Sequence, residues 1–369
     1  MGFNCGIVGL PNVGKSTLFN ALTQTIAAQA ANFPFCTIEP NTGRVAVPDK
    51  RLDKLVEMVN PKNIVPTQLE FVDIAGLVKG ASKGEGLGNQ FLANIRETDA
   101  IIHVLRCFEN DNITHVEGTV DPVRDAEIVK TELMIADLDS LTKRIDNLQK
   151  KARAGDKEAA VNVRVMEPII AALQAGKPAI TAAPDPADKE AYKAYKMLQL
   201  LTSKPVLYVC NVDEDSAATG NQFSAAVAAM AQAENAQSVI ISAEIESEVA
   251  QLESAQEKQD FLSALGLEET GLAKVIRAGY NLLGLQTFFT AGPKEVRAWT
   301  FVKGMKAPQC AGIIHSDFER GFIRAETISY EDYIRYNGEQ GCRDAGKIRS
   351  EGKEYLVQDG DLMNFLFNV

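Results

Sequence analysis

The chain has 369 residues, of which 46% are hydrophobic and 24% are charged, and its formal net charge is −11. This length allows two or three domains, and the composition is ordinary for a globular protein. The six cysteines are scattered without a Cys-x-x-Cys pair, which argues against a disulfide framework or a zinc site. The sequence has neither a long apolar run nor a basic amino-terminal head, so we expect no membrane span, no signal peptide and a cytoplasmic location.

The negative charge is distributed unevenly along the chain. Residues 204–280 contain 4 Lys and Arg against 12 Asp and Glu, whereas residues 125–203 contain 12 of each kind. Residues 281–369 are also near neutral, with 11 basic and 12 acidic residues. The total charge argues against a generally cationic nucleic-acid binder, but a near-neutral region can still carry a basic face that contacts RNA.

Short apolar runs separated by helical stretches predict the first part of the fold. The predicted strands are residues 3–9, 69–73, 100–106, 205–211 and 238–242. A glycine-bounded loop follows the first strand, and a helix begins at about Lys15. Because strands and helices alternate, the pattern predicts an α/β fold with a mainly parallel sheet covered on both faces.

Residues 107–204 interrupt this alternation with helical patterns. A narrow apolar seam repeats every three or four residues, at Met134, Leu138, Leu141, Ile145 and Leu148. After a break at Gly155, a second helix is expected over about 157–175 and a third over the segment that carries Tyr192, Tyr195, Leu198 and Leu201. We interpret residues 125–203 as an inserted antiparallel helical (coiled-coil) arm, the alternative being ordinary covering helices.

The carboxyl-terminal part predicts a small α+β module. Segments 299–302 and 312–315 resemble strands, 331–334 resembles a helical turn, and Asp359-Gly360 resembles a turn between apolar runs. The predicted domains are therefore a nucleotide-binding domain formed by 1–124 and 204–280, the arm at 125–203, and a last domain at 281–369.

A complete Gly-x-x-x-x-Gly-Lys-Ser sequence at 9–16 follows the first strand and opens the first helix, which is the context that a phosphate-binding loop requires. Glycines allow main-chain N–H groups to face phosphate oxygens at a helix amino terminus. Lys15 would neutralise the β- and γ-phosphates, and the Ser16 hydroxyl would bind Mg²⁺. The predicted nucleotide contacts in this loop are Asn12, Val13, Gly14, Lys15, Ser16 and Thr17.

Two further segments predict the rest of the phosphate and metal site. Asp73-Ile74-Ala75-Gly76 ends a strand, so Asp73 would hold Mg²⁺ through water and the Gly76 N–H would sense the γ-phosphate, although Asp73 could also simply cap a turn. Thr37 lies in a proline-punctuated polar loop, where a threonine supplies the second Mg²⁺ hydroxyl in GTPase-like proteins. A plain turn residue is the alternative for Thr37.

The sequence Asn211-Val212-Asp213-Glu214 stands where guanine-specific proteins have Asn-Lys-x-Asp. Val212 replaces the lysine, and Glu214 replaces the aspartate that accepts from guanine. Adenine has no donor at N1 and no 2-amino group, so losing that acceptor favours adenine, with relaxed base specificity as the alternative. The predicted base-side residues are Asn211, Val212, Glu214, Ser242, Ala243 and Glu244.

The group that orients the attacking water is not obvious. Ras-like proteins place a glutamine directly after Asp-x-x-Gly, and here that position is Leu77. His115, in a polar loop, is one candidate to approach the phosphates, and Asn12 is a candidate ligand for a monovalent cation. With Lys15, the residues Gly76, Leu77 and His115 make up the predicted catalytic set.

Five stretches of this sequence together resemble the YchF family of Obg-like ATPases over essentially the whole chain, at 9–17, 32–41, 73–88, 106–109 and 289–292. The resemblance implies a translation-factor-related P-loop (Ras-like) domain, an inserted helical arm and a carboxyl-terminal ubiquitin-like TGS domain. It also implies Mg²⁺-dependent hydrolysis of ATP in preference to GTP, and a hydrophobic residue at Leu77. The expected partner is the ribosome, particularly its large subunit, with RNA contacts through the arm and the TGS domain and no membrane.

Other classes of function stay open at this point. The chain could be a GTPase of the Obg class, or a binding module whose nucleotide is structural and whose arm and last domain contact RNA or protein. Hydrolysis by a Lys15→Ala variant separates enzyme from binding module, and nucleotide competition separates ATPase from GTPase.

Overall fold

The computed structural model describes residues 3–30, 38–39, 41–74, 87–252 and 254–368. These residues form two compact units, one from 3–21 with 71–275 and the other from 22–70 with 276–368. The domain boundaries expected from the sequence, after residues 124, 203 and 280, remain predictions.

The described residues contain the following strands and helices. The strands are β1 (Asn4–Val8), β2 (Ile38–Glu39), β3 (Thr42–Ala46), β4 (Asn63–Val65), β5 (Gln68–Asp73), β6 (Ala100–Arg106), β7 (Val206–Asn211), β8 (Gln237–Ile241), β9 (Leu285–Ala291), β10 (Glu295–Val302), β11 (Phe322–Ile328), β12 (Arg349–Glu351) and β13 (Leu362–Phe367). The helices are α1 (Lys15–Ala30), α2 (Lys50–Val59), α3 (Leu87–Glu97), α4 (Pro122–Arg153), α5 (Lys157–Gln174), α6 (Lys189–Met197), α7 (Gln222–Ala233), α8 (Ala243–Gln251), α9 (Ala255–Ala264), α10 (Gly271–Leu282), α11 (Ala307–Ile314), α12 (Ser316–Arg320), α13 (Tyr330–Arg335) and α14 (Glu339–Asp344).

In the larger sheet, β5, β1, β6, β7 and β8 lie side by side in that order. The pairs β1–β6, β6–β7 and β7–β8 are all parallel, and all five strands predicted from the sequence are present. Parallel strands bring their carboxyl ends to one edge of a sheet, where ligands of α/β proteins bind. The segments after β1, β6, β7 and β8 therefore meet along one edge.

The helical insertion begins with α4, whose N-cap Asp121 accepts a hydrogen bond from the Arg124 N–H at 3.0 Å. Gly155, with φ 95°, ends the α4 segment, and α5 returns along it with a shared apolar core that includes Met166 and Ile169. The predicted seam packs in this core, because Met134 and Leu141 are buried and Leu138, Ile145 and Leu148 are partly buried against it. The predicted hairpin of two helices is thus present in the structure.

The third helix of the insertion is shorter than the sequence pattern predicts. It ends at Met197, and Gln199 has a positive φ of 50°, which few non-glycine residues adopt and no α-helix continues through. Leu198 and Leu201 are buried as expected but lie beyond the helix. The apolar spacing therefore identified the core side chains correctly and the helix end incorrectly.

The second unit contains a mixed sheet with the order β12-β11-β13-β9-β10-β4. The predicted strand at 299–302 lies within β10 and the predicted helical turn within α13. Gly360 has φ 93° in the turn before β13, so the Asp-Gly turn is confirmed, although residues 355–357 before it do not form a strand.

The strand predicted at 312–315 is wrong, because Gly312–Ile314 is the end of helix α11. Pro308 lies in the first turn, and the Lys306 N–H donates to Gln309 Oε1 at 2.8 Å. Ala307, Cys310 and Ala311 are fully buried, and this three- and four-residue spacing is helical. The apolar residues at 313 and 314 concealed that spacing.

Candidate nucleotide site

The phosphate loop connects β1 to α1, as the sequence predicts. Val13 is 1% exposed and anchors the loop, whereas Asn12, Ser16 and Thr17 are exposed at the sheet edge. Asn12 has φ 63° and Gly14 has φ 91°, so two of these three consecutive residues have a positive φ and the backbone turns sharply. The first turn of α1 then presents N–H groups that have no acceptor within the helix.

Gly14 has a second reason to be glycine. A Cβ at this position would lie 2.2 Å from Asn211 Nδ2, and the left-handed φ already disfavours any other residue. The close approach of the loop to Asn211 therefore requires the absence of a side chain here.

Lys15 and Asp73 lie next to each other at the mouth of the loop. The Lys15 Nζ atom is 2.5 Å from Asp73 Oδ1, and their side chains are 10% and 19% exposed. The hydroxyl of Ser16 and the carboxylate of Asp73 are hard oxygen donors of the kind that Mg²⁺ prefers. The described residues therefore fit a magnesium–triphosphate group, and Thr37, Gly76 and Leu77, predicted for the same site, lie outside the described residues.

Asn211 connects the phosphate loop to the base side of the site. Its Nδ2 donates to the Val13 carbonyl at 3.0 Å, and its Oδ1 accepts from the Ala243 N–H at 2.9 Å. One buried carboxamide thereby fixes the relative position of the phosphate loop and the start of α8.

The other predicted base-side residues are placed differently from one another. Val212 is 2% exposed and packs in the core with Cys107 and Cys210, so its side chain does not face solvent. Ser242 is also buried and caps α8, where its Oγ accepts from the Ile245 N–H. Glu214 and Glu244 are exposed. The carboxylates and the main chain are thus the accessible polar groups on this side.

A loop at 107–118 follows β6 and lies beside the phosphate loop. The carboxamide Nδ2 of Asn12 donates to the Thr114 carbonyl at 3.1 Å, and the Cys107 N–H donates to the Asn211 carbonyl at 2.8 Å. The 107–118 loop therefore contacts both the phosphate loop and Asn211 at the end of β7.

His115 belongs to this loop, and both of its ring nitrogens have protein partners. The ring Nδ1 accepts from the Glu117 N–H at 3.1 Å, which leaves Nε2 as the donor to Asp125 Oδ2 at 2.9 Å. The His115 side chain is 6% exposed. The structure places His115 near the site but orients its ring toward α4, and its predicted catalytic role stays a prediction.

Arg106 is the main residue of this region to which sequence reasoning gave no role. It is 2% exposed at the end of β6, and its guanidinium donates to the carbonyls of Phe108, Asn110 and Ile113. A signal existed, because an arginine that ends an otherwise apolar strand is buried with it and needs several acceptors.

Comparison with known proteins finds matches to two family models and to full-length relatives. The model named MMR_HSR1, "50S ribosome-binding GTPase", matches residues 4–136, and the model named YchF-GTPase_C, "Protein of unknown function (DUF933)", matches residues 285–368. The protein called "Ribosome-binding ATPase YchF" of Haemophilus influenzae is 59% identical over 370 residues, and that of Bacillus subtilis is 57% identical over 371 residues. Each alignment covers 100% of both chains.

The chain belongs to the YchF family. The solved structure of the Schizosaccharomyces pombe YchF GTPase is 38% identical, with a TM-score of 0.86, and the alignment covers 99% of this chain and 98% of that one. The predicted P-loop GTPase-class domain and the YchF carboxyl-terminal domain are therefore confirmed. Among the described residues, no helix is long and apolar enough to span a lipid bilayer.

Proposed function

We propose that this YchF-family chain is a ribosome-associated nucleotide switch that binds ATP with Mg²⁺ and hydrolyses it, and that it uses GTP less well. The observation that carries the proposal is the pairing of Lys15 with Asp73 at 2.5 Å at the mouth of the phosphate loop. The curated relatives named as ribosome-binding ATPases, aligned over their full length, support it.

Each residue of the site has a distinct role in this proposal. Lys15 and the N–H groups of α1 bind the phosphates, Ser16 and Thr37 supply hydroxyls to Mg²⁺, and Asp73 holds the metal through water. The metal supplies charge neutralisation at the β- and γ-phosphates. Gly76 senses the γ-phosphate, and Leu77 replaces the usual glutamine, so water must be oriented by another group.

A monovalent cation is a further proposed cofactor. The Nδ2 of Asn12 is bound to the Thr114 carbonyl, so the carboxamide oxygen is the atom that a cation beside the phosphates would contact. Oxygen atoms of this type are ligands for hard cations.

The residues at the two base-reading positions support the proposed adenine preference. The position of the guanine-covering lysine is Val212, which is buried in the core, and the position of the guanine-binding aspartate is Glu214, which is exposed. A guanine would leave its N1–H and 2-amino donors without their usual carboxylate partner, at a cost of about 1–3 kcal/mol for each group.

Competition between ATP and GTP for one fluorescent nucleotide tests this preference. With Mg²⁺ present, we expect the dissociation constant for ATP to be lower than that for GTP by roughly tenfold or more. A Glu214→Asp variant restores the carboxylate of the guanine pattern at an exposed position and should narrow or reverse the ratio. A lower dissociation constant for GTP in the unaltered protein would contradict the adenine assignment.

The helical insertion supports the RNA part of the proposal. Residues 143–164, around the α4–α5 turn, contain 7 Lys and Arg against 3 Asp and Glu, whereas 125–142 contain 1 against 5. The neutral total charge of the arm thus separates into an acidic base and a basic tip. Basic side chains bind nucleic-acid phosphates without reading sequence.

The ribosome, and its large subunit in particular, is the proposed partner, with RNA contacts through the arm and the TGS domain. The "50S ribosome-binding GTPase" description of the matched model supports the large subunit. A cytoplasmic location and the absence of a membrane partner follow from this assignment as proposals.

A further inference from the structure

Arg106 lies in the core with an unusual set of partners. Its Nε donates to the Phe108 carbonyl at 3.1 Å, its Nη1 to the Ile113 carbonyl at 2.9 Å and its Nη2 to the Asn110 carbonyl at 3.1 Å. The guanidinium also lies 4.8 Å from the ring centroid of Phe108. A buried cation is costly, and here its compensation comes from the carbonyl dipoles of one loop, from an aromatic face and from the negative charge of Asp125.

These contacts hold residues 108–113 around the guanidinium, and they therefore determine the position of the residues that follow Ile113. The next two residues are Thr114, whose carbonyl accepts from Asn12 of the phosphate loop, and His115, whose ring donates to Asp125 of α4. The beginning of the loop is fixed separately, because the Cys107 carbonyl accepts from Asn221 Nδ2 at 2.7 Å. Arg106 is therefore the group that determines how far Thr114 lies from the phosphate loop.

Asn12 connects Thr114 to the phosphate loop, so a change in the position of Thr114 would act on the nucleotide site through Asn12. It lies in the left-handed region at φ 63°, in the loop that is proposed to bind the phosphates, and its Nδ2 donates to the Thr114 carbonyl at 3.1 Å. A shift of the 107–118 loop would pull on this side chain, and misplacement of a reacting group by about 1 Å can cost as much as a hundredfold in rate.

We propose that Arg106 is a positioning residue for nucleotide hydrolysis, which acts by holding the 107–118 loop against the phosphate loop through the contact between Thr114 and Asn12. The proposal rests on the hydrolytic function proposed above. Arg106 does not touch the nucleotide, so its loss should lower the rate of the chemical step and leave nucleotide affinity nearly unchanged.

The first test is steady-state ATP hydrolysis by the full-length Arg106→Lys variant. Lysine keeps the charge but cannot donate to three separated carbonyls in one plane. We expect kcat to fall roughly ten- to a hundredfold with KM changed less than about threefold. Arg96→Lys is the matched control, because Arg96 also donates to a carbonyl, that of Gln199, and it should keep the unaltered kcat.

An unchanged kcat in a folded Arg106→Lys protein overturns the proposal, and so does an equal fall in kcat for the control. If the unaltered protein does not hydrolyse ATP, the proposed function fails instead, and the two failures are distinguished within one experiment.

A second variant keeps the test decisive if Arg106→Lys does not fold. Asn12→Gly removes the donor to Thr114 while glycine accepts the positive φ. We expect it to lower kcat by a similar factor at saturating potassium, and an unchanged kcat in this variant overturns the proposal without any use of Arg106→Lys. Where Arg106→Lys folds, the double variant should lose no more than the worse single variant. Additive losses, or recovery of the Asn12→Gly rate at high potassium, would show independent action and overturn the proposal.

Discussion

At the scale of the residue, a few buried polar side chains determine the geometry of the site. The Asn211 carboxamide uses both of its ends, one on Val13 and one on Ala243, and Gly14 must lack a side chain to allow it. A satisfied buried amide of this kind rigidifies a site, because breaking either bond leaves an unpaired polar atom. Asn211 therefore positions the two halves of the nucleotide site whether or not it also touches the base.

His103 gives a residue-scale prediction on pH. It is 4% exposed within β6, its Nε2 has no hydrogen-bond partner among the residues that the structure describes, and burial lowers its pKa from 6.5 to about 4. Between pH 6.5 and pH 4 the unfolded chain binds a proton that the folded chain does not. His103 should therefore remove about 3 kcal/mol of stability as the pH falls through this range.

The measurement is urea unfolding of the protein and of His103→Phe at pH 7.0, 5.5 and 4.5. Phenylalanine keeps a ring against Tyr208, which lies 5.7 Å away between centroids, and carries no titrating nitrogen. The variant should gain stability relative to the unaltered protein as the pH falls. Exposed His315, replaced in the same way, serves as the control, and parallel pH profiles for His103→Phe and the unaltered protein would refute the burial argument.

At the scale of the element, the strands position the nucleotide site, and the turn between α4 and α5 contains a cluster of basic residues. The carboxyl ends of β1, β5, β6 and β7 place the phosphate loop, Asp73, the 107–118 loop and Asn211 along one edge. Among the described residues, the α4–α5 hairpin reaches that edge only at the first turns of α4, where Asp125 Oδ2 accepts a hydrogen bond from His115 Nε2. The distal part of the hairpin is thus available for a different partner.

The basic tip of the hairpin yields an element-scale prediction. Lys150, Lys151 and Arg153 are exposed in the last turn of α4. Replacing all three with glutamine should weaken ribosome binding, and it should lower the slope of log affinity against log salt by roughly 0.7–0.9 for each phosphate that the tip no longer neutralises. ATP hydrolysis without ribosomes should stay unchanged.

The matched control replaces Lys177, Lys189 and Lys193 of the same insertion, which are also exposed. Sedimentation with ribosomes at several potassium concentrations measures both sets. Equal weakening by the two sets would indicate a nonspecific charge effect and refute the role of the tip.

The elements also show which parts of the structure the sequence could predict. The parallel strands were predictable because each is a short apolar run followed by chemically distinctive residues such as Gly14, Asp73 and Asn211. The strand proposed at 312–315 was wrong because two isoleucines outweighed the helical spacing of small buried residues before them. The end of α6 was missed because nothing in a single sequence identifies Gln199 as left-handed.

Long-range contacts set the other limit on prediction. Lys15 and Asp73 were assigned to one site by motif, and the structure brings them to 2.5 Å. The position of Arg106 at the end of an apolar strand indicates that it is buried, but its three acceptors are main-chain carbonyls, which the sequence does not identify. The sequence also does not identify the partners of His115 and Asn12. Only the fold brings Asp125 next to His115 and Thr114 next to Asn12.

At the scale of the whole molecule, the described residues of the nucleotide site and the segment matched by the YchF carboxyl-terminal model lie in different units. The first contains Lys15, Asp73 and Asn211 of the nucleotide site and most of the acidic segment 204–280, which holds 12 acidic against 4 basic residues. The second contains the YchF carboxyl-terminal domain, in which β4, from early in the chain, pairs in parallel with β10. Such pairing of distant segments makes the folding of the second unit depend on both parts of the chain.

The central claim, that the phosphate loop makes this chain a nucleotide hydrolase, is tested most directly by ATP turnover of Lys15→Ala beside Lys54→Ala. Lys54 is exposed and pairs with Glu57, so its replacement removes a lysine outside the site. The account predicts a loss of roughly a hundredfold or more for Lys15→Ala, because the ammonium that stabilises the transferring phosphoryl group is gone, and an unchanged rate for Lys54→Ala. Equal turnover by both variants would contradict it.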